Sequence, residues 1–551
     1  MNQKNENQLN LALLLPENLR EKTKDLNTGF DVFDKEWELI IRHSGELSLE
    51  ATELATSIKE LSGGFALVRI SERNIDRLAD LSEVIFIEKP KKLYLELDYS
   101  VVASCITPVR DNPYNLSGQG VIVAIIDSGI DYTHPDFNNP DGTSRIIAIF
   151  DETTGREYTK AEIEEGAVPV RDIGGHGTHV AGIAAGNGRA SNGLYRGVAY
   201  EASIIVVNLG RDEFFNTARL MEAVDYVVKK AQSINMPVAI NISIGNNYGA
   251  HSGNSLLESY LNFISQTWKT VIVCGSGNEA NKNIHISEKM DESVQIVELV
   301  IGENEQSLDL QLWKDFGDEI LVYIIAPDGT RFGPVSSEEK LSKYEYRNTN
   351  VYVYGGEPKP YSTAQEIFFQ FISNGSVLDS GLWKIELVPI KITAGDYDMW
   401  LSVGNFINDS TGFVKNTPDT TLTIPATAYN VISVGAYDAT LNAYAAFSGR
   451  GYTKRITTVK PDLVAPGVGI VSTAVGGGYV AKTGTSMAAP FVTGSSALLM
   501  EWGIVKGNDP FMYGEKVKAY LIKGARPLPG ETIPSPKIGW GALCLGGSLD
   551  E

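Results

Sequence analysis

Nearly continuous apolar runs constrain the fold of this chain more than any other feature. Residues 120–126 read Gly-Val-Ile-Val-Ala-Ile-Ile and lead directly to Asp127. Residues 271–273 read Val-Ile-Val and lead through Cys274 to a glycine turn. Such runs are typical of strands that are buried on both faces of a parallel sheet. The sequence therefore predicts an α/β fold with a buried parallel sheet.

Two polar residues are candidates for a functional site. One follows the first apolar run, and the other lies in a later segment of the chain. Asp127 falls at the carboxyl end of the first run, where α/β folds place ligand-binding and catalytic groups. A turn-capping aspartate is the alternative, because Asp-Ser-Gly at 127–129 is turn-prone. Residues 484–490 read Gly-Thr-Ser-Met-Ala-Ala-Pro and place Ser486 at the predicted start of an apolar helix. A serine nucleophile needs a base and an orienting acid, and Asp127 is a candidate acid.

A glycine-rich loop supplies the candidate base. The chain has six histidines, and His176 and His179 both lie in residues 174–186, which enter a helix of small residues. Their spacing of three allows a pair of metal ligands on one helix face. No Cys or Glu stands nearby at ligand spacing, which disfavours a metal site. A purely structural histidine is the remaining alternative to a general base.

A fourth element follows the second apolar run. Residues 275–278 read Gly-Ser-Gly-Asn, and the Asn278 side chain carries an N–H group that can stabilise an oxyanion. By itself, Gly-Asn is only a turn signal.

Together these segments resemble the subtilisin-like (S8) serine proteases. The order acid, histidine, serine is the subtilisin order. The matching blocks are Asp-Ser-Gly at 127–129, His-Gly-Thr-His-Val-Ala-Gly at 176–182 and the serine block at 484–490. The resemblance extends over residues 100–280 and 420–545. It implies a parallel sheet with helices on both faces.

The resemblance also implies roles for individual residues. It assigns Asp127, His179 and Ser486 as the catalytic triad, Asn278 as the oxyanion donor, and His176 as a supporting residue of the loop. It also implies that residues 241–245 form a strand bordering the substrate side chain just before the cleaved bond, and that the turn at 274–277 helps to line the pocket for that side chain. The substrate-binding residues implied in these two segments are Ser243, Ile244, Gly245, Gly275 and Gly277.

The N-terminal segment, residues 1–96, is predicted to be a separate α/β domain. Strands at 37–42, 64–70 and 84–88 alternate with helices at 49–61 and 73–81. The alternation resembles the ferredoxin-like propeptide of subtilases, an intramolecular chaperone and inhibitor; an unrelated ferredoxin-like docking domain is the alternative. A propeptide implies autocleavage within residues 94–100, close to Asp98 or Tyr99, with the new C-terminus in the active-site groove.

The two catalytic segments, 97–289 and 416–551, flank an insertion at 290–415 that a minimal subtilisin lacks. Short β-rich pieces separated by turn signals predict an all-β sandwich or jelly roll there. They lie at 294–301, 308–313, 320–325, 367–372, 382–388 and 399–403.

This layout resembles the clostridial germination-specific proteases of the Csp group. The resemblance implies protein substrates, in particular the precursor of a spore cortex-lytic enzyme, and a cleaved propeptide that often stays bound. Some members of the group have lost triad residues and act in signalling. A catalytically silent regulator, with its groove blocked by the propeptide, is therefore the alternative function. A broad degradative protease is a third possibility, disfavoured by the propeptide and the insertion.

Composition restricts partners and compartment. The formal net charge of −21 disfavours nucleic acids and anionic membranes as partners. No apolar run approaches the ~20 residues of a transmembrane helix. The N-terminus lacks the pattern of a signal peptide, so we expect a protein kept inside the cell or the spore compartment. The three cysteines, an odd number at uninformative spacings, are predicted to be reduced.

No cofactor is required by the predicted chemistry, although calcium is possible. Asp136 matches a calcium-ligand position of the family, and no second ligand is evident from the sequence. Because calcium binds several oxygen ligands, a surface-turn role for Asp136 is the favoured interpretation.

Overall fold

A computed structural model describes residues 2, 4–14, 29–31, 33–61, 64–89, 96–210, 216–335, 341–355, 357–358, 362–402, 407–453 and 458–549. The chain divides into two compact units, Met1–Leu95 and Glu96–Glu551. None of the helices in the described ranges has the length and apolar content that a membrane span requires.

The described residues of the first unit form an antiparallel sheet and three helices. Alternate residues of its second strand, including Trp37 and Leu39, are buried. The strands follow the order β1-β2-β4-β3, and β5 also pairs with β2. Their bounds are β1 (Phe30–Asp31), β2 (Glu36–His43), β3 (Ala55–Leu61), β4 (Phe65–Ser71) and β5 (Val84–Glu88), with helices α1 (Asn7–Leu14), α2 (Leu49–Leu54) and α3 (Ile75–Asp80).

The predicted helix at 49–61 is wrong in its second half. The Ser48 hydroxyl caps α2 by accepting from the Ala51 N–H at 3.2 Å, but the helix ends at Leu54. The next seven residues form β3, which pairs with β4. The β-branched Thr56 and Ile58 have weaker helix propensity, and pairing with β4 satisfies this backbone.

The second unit begins with alternating strands and helices. Its strands before the insertion are β6 (Ile122–Asp127), β7 (Ile146–Asp151), β8 (Arg156–Thr159), β9 (Ser203–Asn208), β10 (Val238–Ile242) and β11 (Thr270–Gly275). The helices of this part are α4 (Glu96–Ala103), α5 (Thr107–Arg110), α6 (Lys160–Glu164), α7 (His176–Ala185), α8 (Thr217–Ser233) and α9 (Leu256–Ile264).

The insertion contains two antiparallel sheets around one apolar core, to which Leu310 and Phe369 contribute from one sheet and Val322 and Ile385 from the other. The first sheet has the order β12-β21-β14-β19-β18-β17 and the second β16-β15-β20-β13-β22. The bounds are β12 (His285–Lys289), β13 (Gln295–Ile301), β14 (Ser307–Asp315), β15 (Glu319–Ile325), β16 (Arg331–Val335), β17 (Leu341–Tyr346), β18 (Thr349–Gly355), β19 (Ala364–Ser373), β20 (Gly381–Lys391), β21 (Asp396–Leu401) and β22 (Gly412–Phe413). The insertion is all-β, and its jelly-roll topology stays a prediction.

After the insertion, the chain returns to the central sheet that contains β6–β11. The remaining strands are β23 (Ile432–Asp438), β24 (Ala443–Tyr444), β25 (Leu463–Pro466), β26 (Ile470–Thr473) and β27 (Tyr479–Lys482), and the remaining helices are α10 (Thr485–Met500), α11 (Glu515–Gly524) and α12 (Leu545–Leu549). The central sheet has the order β24-β23-β11-β10-β6-β9-β7-β8, with β25 beside β23.

The central sheet is covered on both faces. Val123 and Ile125 of β6 pack in one core with residues of α7 and α10. Ile122 and Ile126 of the same strand pack in a second core with residues of α8 and α9. Because strands β9, β6, β10, β11 and β23 run parallel, the predicted α/β sheet is observed.

The prediction of three reduced cysteines is wrong. Cys105 and Cys544 form a disulfide across 439 residues of sequence, with their Cα atoms 4.6 Å apart. Such a distant pairing leaves no signal in sequence spacing. Cys274 is free and buried in β11, where burial raises the pKa of its thiol to about 12.

Candidate active site

Parallel pairing brings the ends of several strands to one edge of the sheet. Ile126 of β6 lies in register with Ile242 of β10, which lies in register with Cys274 of β11. The residues that follow these strands, including Asp127 and Ser243, therefore come together although they are far apart in sequence.

Asp127 and His176 form a hydrogen-bonded pair at this edge. Asp127 is 1% exposed, and its Oδ1 lies 2.7 Å from His176 Nδ1. The same oxygen accepts from the Ser128 N–H at 2.7 Å. The His176 side chain keeps one third of its surface exposed. The negative charge of Asp127 raises the pKa of His176, against the opposing effect of burial.

Local structure explains why His176 reaches Asp127. Helix α7 begins at His176, and the next residue, Gly177, packs against the backbone after β6. A Cβ atom at Gly177 would lie 2.2 Å from the Gly129 carbonyl oxygen and 3.1 Å from the Asp127 Cβ. Only glycine permits this approach, which places the preceding side chain beside Asp127.

The assignment of His179 as the catalytic base is contradicted by its position. His179 is fully buried, and its Nε2 lies 2.9 Å from the carbonyl oxygens of both Ile470 and Val480. His179 follows His176 by three residues on α7, so the two side chains point about 60° apart around the helix axis. His179 therefore contacts the β26–β27 hairpin instead of Asp127. Burial lowers the pKa of His179 to about 4, so its imidazole is neutral and holds the hairpin.

Ser486 is the second residue of helix α10. Its Oγ donates to the Ser243 carbonyl oxygen at 3.3 Å, and the Ser243 hydroxyl donates to the Ser486 carbonyl oxygen at 3.2 Å. Asn241 supports this contact, because its Nδ2 donates to Ser243 Oγ at 2.8 Å. The end of β10 and the start of α10 are thereby joined.

The orientation of Asn278 is set by the residue before Ser486. Asn278 Oδ1 accepts from the Thr485 N–H at 2.9 Å and from the Thr485 hydroxyl at 3.2 Å. Because both Thr485 groups are donors, the Asn278 atom that they contact is the side-chain oxygen, and the other atom of the amide is the NH₂ nitrogen. Asn278 lines the same cavity as Ser486. This NH₂ group can donate to a bound oxyanion.

One cavity of about 860 Å³ connects these groups. His176, Ser486 and Asn278 line it. The five predicted substrate-binding residues, Ser243, Ile244, Gly245, Gly275 and Gly277, line it as well. The structure thus brings together all the predicted site residues of this edge except His179.

Several cavity residues were missed by the sequence analysis. Thr423 lies between two glycines, because Cβ atoms at Gly245 and Gly277 would each come within 2.6 Å of its side chain. The insertion also contributes a wall, formed by Ser307, Leu308, Asp309, Ser402 and Ile407. No local pattern marks these residues, because their proximity depends on the packing of the insertion.

Asp172 was also missed. It is 1% exposed, and its Oδ1 accepts from the Ser128 hydroxyl and the Gly175 N–H, both at 2.9 Å. Its Oδ2 accepts from the Thr178 N–H at 2.7 Å. Asp172 therefore anchors the start of α7 beside the Asp127 turn.

Asp136 does not lie in a cage of carboxylates. It is fully buried, and its carboxylate accepts from the Ala190 N–H and the Tyr479 hydroxyl, both at 2.8 Å. Across the described ranges, no group of three His, Cys, Asp or Glu side chains is placed to hold a metal ion. The residues at Asp136 therefore do not fit a calcium site built on carboxylates, and calcium binding stays a prediction.

The predicted autocleavage region lies at the boundary of the two units. Asp98 and Tyr99 fall in the first turn of α4, whereas residues 94 and 95 lie outside the described residues. The position of the cleaved bond stays a prediction.

Comparison with known proteins agrees with this fold. The model of the subtilase family matches residues 118–364 and 393–541, and the chain belongs to that family. Within the family, residues 3–91 match the model of the Csp protease B prodomain. The chain is also similar to the structure of the Clostridium perfringens CspB protease, with 40% identity and a TM-score of 0.78 over 82% of this chain and 96% of that one.

Curated relatives are more distant. The minor extracellular protease Vpr of Bacillus subtilis is 23% identical over 81% of this chain and 54% of its own length. A subtilisin of Bacillus sp. (strain TA39) is 29% identical over 39% of this chain and 48% of its own length. The chain thus spans about half the length of these two relatives.

Proposed function

We propose that this protein is a serine endopeptidase with Asp127, His176 and Ser486 as its catalytic triad. The observation that carries the proposal is the hydrogen bond of 2.7 Å between Asp127 and His176. The His176 imidazole also lines the same cavity as Ser486 and Asn278. Membership of the subtilase family supports the same activity.

The residues have distinct roles in the proposed mechanism. In this mechanism the Ser486 hydroxyl gives up its hydrogen bond to the Ser243 carbonyl and turns toward His176, which lines the same cavity. His176 takes the proton as the oxygen attacks a peptide carbonyl, and Asp127 holds the imidazole tautomer and stabilises the cation. The Asn278 NH₂ and the Ser486 backbone N–H donate to the oxyanion. His176 then protonates the leaving amine, and water hydrolyses the acyl-enzyme.

We further infer that the N-terminal unit is an autoprocessed, inhibitory propeptide. The match to the Csp protease B prodomain supports this inference. The strand order β5-β2-β4-β3 with intervening helices α2 and α3 is consistent with a ferredoxin-like domain. We propose that the cleaved bond lies near Asp98 or Tyr99.

The proposed physiological substrate is a protein zymogen, such as the precursor of a spore cortex-lytic enzyme, and the proposed compartment is the cell interior or the spore. Likeness to the Csp prodomain and to the CspB structure supports the substrate proposal. The Cys105–Cys544 disulfide weakens the case for a reducing compartment, because disulfides persist mainly in oxidising ones.

Expression of the wild type beside Ser486→Ala tests the activity. We expect two fragments of about 10 and 50 kDa from the 59.9 kDa wild-type chain, and one uncut band from the variant. A wild type that remains full length, with unchanged folding, would support the catalytically silent regulator instead.

A further inference from the structure

One wall of the active-site cavity comes from the inserted β-domain, and it carries a carboxylate. Asp309 of β14 lines the cavity together with Ser402 from the neighbouring β21 side. The catalytic groups His176 and Ser486 line the same cavity. A peptide held for cleavage therefore passes within reach of the insertion.

Asp309 has hydrogen-bond donors but no cationic partner in the described part of the chain. The Tyr248 hydroxyl donates to Asp309 Oδ2 at 2.5 Å, and the Ser402 hydroxyl lies 3.5 Å from the same oxygen. Burial and the hydrogen bond to Asp309 raise the pKa of Tyr248, so this hydroxyl stays a donor. None of the ion pairs formed within the described ranges includes Asp309. Its negative charge therefore faces the cavity without a counterion from these residues.

The lysine of the cavity lies elsewhere. Lys482 Nζ donates to the Gly175 carbonyl oxygen at 2.9 Å, beside the start of α7 and His176. Asp309 instead contacts the loop that follows β10, through Tyr248. The charged residues that line the cavity are thus Lys482 near the catalytic histidine, Glu279 directly after Asn278, and Asp309 at the insertion.

The loop after β10 relates Asp309 to the cleaved bond. The Ser243 carbonyl contacts the Ser486 hydroxyl, and residues 244 and 245 border the predicted position of the substrate side chain just before that bond. Tyr248 lies three residues further along the same loop. A substrate strand that follows this edge would present to Asp309 a residue two or more positions before the cleaved bond.

We infer that Asp309 selects substrates carrying Lys or Arg at least two residues before the scissile bond. This inference rests on the proposed function, because it concerns the same cleft. A cationic side chain would supply the missing counterion and form charge-assisted hydrogen bonds with the carboxylate. The net charge of −21 favours approach of basic peptides as well.

A purely structural role for Asp309 is the competing explanation, since Tyr248 ties the loop to the insertion. A second tie exists, because the Gly249 N–H donates to Gln311 Oε1 at 3.0 Å. Asp309→Asn separates the two roles, since asparagine still accepts from Tyr248 but has no charge. The matched control is Asp315→Asn on the same strand, whose side chain accepts from the Gly317 N–H and does not line the cavity.

The test measures relative affinities for the full-length Ser486→Ala chain and cleavage by the active protein. Relative affinities are the readout because an inhibitory propeptide weakens the binding of every peptide in the series alike. A fluorescent peptide series carries Lys at one position, from two to six residues before the bond, in an alanine background. We expect one Lys position to improve kcat/KM and affinity roughly five- to tenfold over alanine, with less benefit in high salt. Asp309→Asn should abolish that benefit, so that the Lys peptide and the all-alanine peptide give equal kcat/KM, and Asp315→Asn should keep the wild-type preference for Lys.

Two results would overturn the inference. One is cleavage or binding that is indifferent to Lys at every position. The other is a preference that persists in Asp309→Asn. Because binding to the Ser486→Ala chain requires no catalysis, a protein that binds the Lys peptide preferentially yet cleaves nothing would contradict the proposed function alone.

Discussion

At the scale of single residues, the two histidines of α7 have opposite surroundings. His176 lies beside the Asp127 carboxylate, whose negative charge raises the pKa of the imidazole, and it lines the same cavity as Ser486. His179 faces two backbone carbonyls in the interior, where burial lowers its pKa to about 4. Chemical identity is the same for both residues, and only the neighbours decide which one can act as a base.

Asn278 provides a residue-scale prediction. Asn278→Ala removes the proposed oxyanion donor, and Asn278→Asp keeps the acceptor for Thr485 but replaces the NH₂ with a charged oxygen. We expect both variants to lower kcat by about 10²–10³-fold, the loss seen for the corresponding donor of subtilisin, with KM little changed. Steady-state peptide hydrolysis measures this, and a variant with kcat within threefold of wild type would contradict the role.

At the scale of elements, the start of α7 is fixed by close backbone contact. Gly177 approaches the Gly129 carbonyl, and Asp172 binds the first turn through the Thr178 N–H. These contacts, made between segments far apart in sequence, orient His176.

Gly177→Ala tests this contact. The added methyl would overlap the Gly129 carbonyl oxygen, so we expect a loss of about 1–3 kcal/mol in the free energy of unfolding and a large loss of activity. Gly478→Ala is the control, because a Cβ there meets no atom within 4 Å, and we expect a change below about 0.5 kcal/mol. Equal stability of the two variants in denaturant titrations would show that the contact is unimportant.

The difference between local sequence patterns and contacts between distant segments explains which features the sequence can predict. Strands β6 and β11 and the start of α10 are encoded locally, by apolar runs and by a serine before an apolar helix. The choice between His176 and His179 as the partner of Asp127 is not encoded locally, because it depends on the close approach of Gly177 to residues after β6.

Other elements were missed for related reasons. Strands β12 and β17 read His-Ile-Ser-Glu-Lys and Leu-Ser-Lys-Tyr-Glu-Tyr, which are too polar to stand out from loops. They lie at the two ends of their sheet, where one side of each strand has no partner strand among the described residues. The disulfide and the cavity wall of the insertion likewise arise from contacts between distant parts of the sequence.

At the scale of the whole molecule, buried neutral histidines connect stability to pH. Burial lowers the pKa of both His179 and His251 to about 4, against about 6.5 in an unfolded chain. Between these values the unfolded state binds more protons, so the free energy of unfolding falls as the pH is lowered from 6.5 to 4. The raised pKa of His176 acts in the opposite direction.

His179→Gln tests this linkage. As the pH falls from 6.5 to 4, each buried histidine is expected to lower the free energy of unfolding by about 3 kcal/mol. Glutamine can still donate to the Ile470 and Val480 carbonyls but does not titrate, so the variant should lose less stability between pH 7 and pH 4.5 than its parent. Denaturant titrations in the Ser486→Ala background measure the difference, and parallel pH profiles would refute the prediction.

The central claim is that Asp127 and His176 act together on Ser486, which is far from both in sequence, and make it reactive, with His176 as the base. Labelling by a fluorophosphonate, mapped to the modified peptide by mass spectrometry, tests it most directly. We expect Ser486 to be labelled in the wild type and in His179→Gln, and labelling of His176→Gln to be slower by at least about 10³-fold. Rapid labelling of Ser486 in His176→Gln, together with its loss in a folded His179→Gln, would contradict the account.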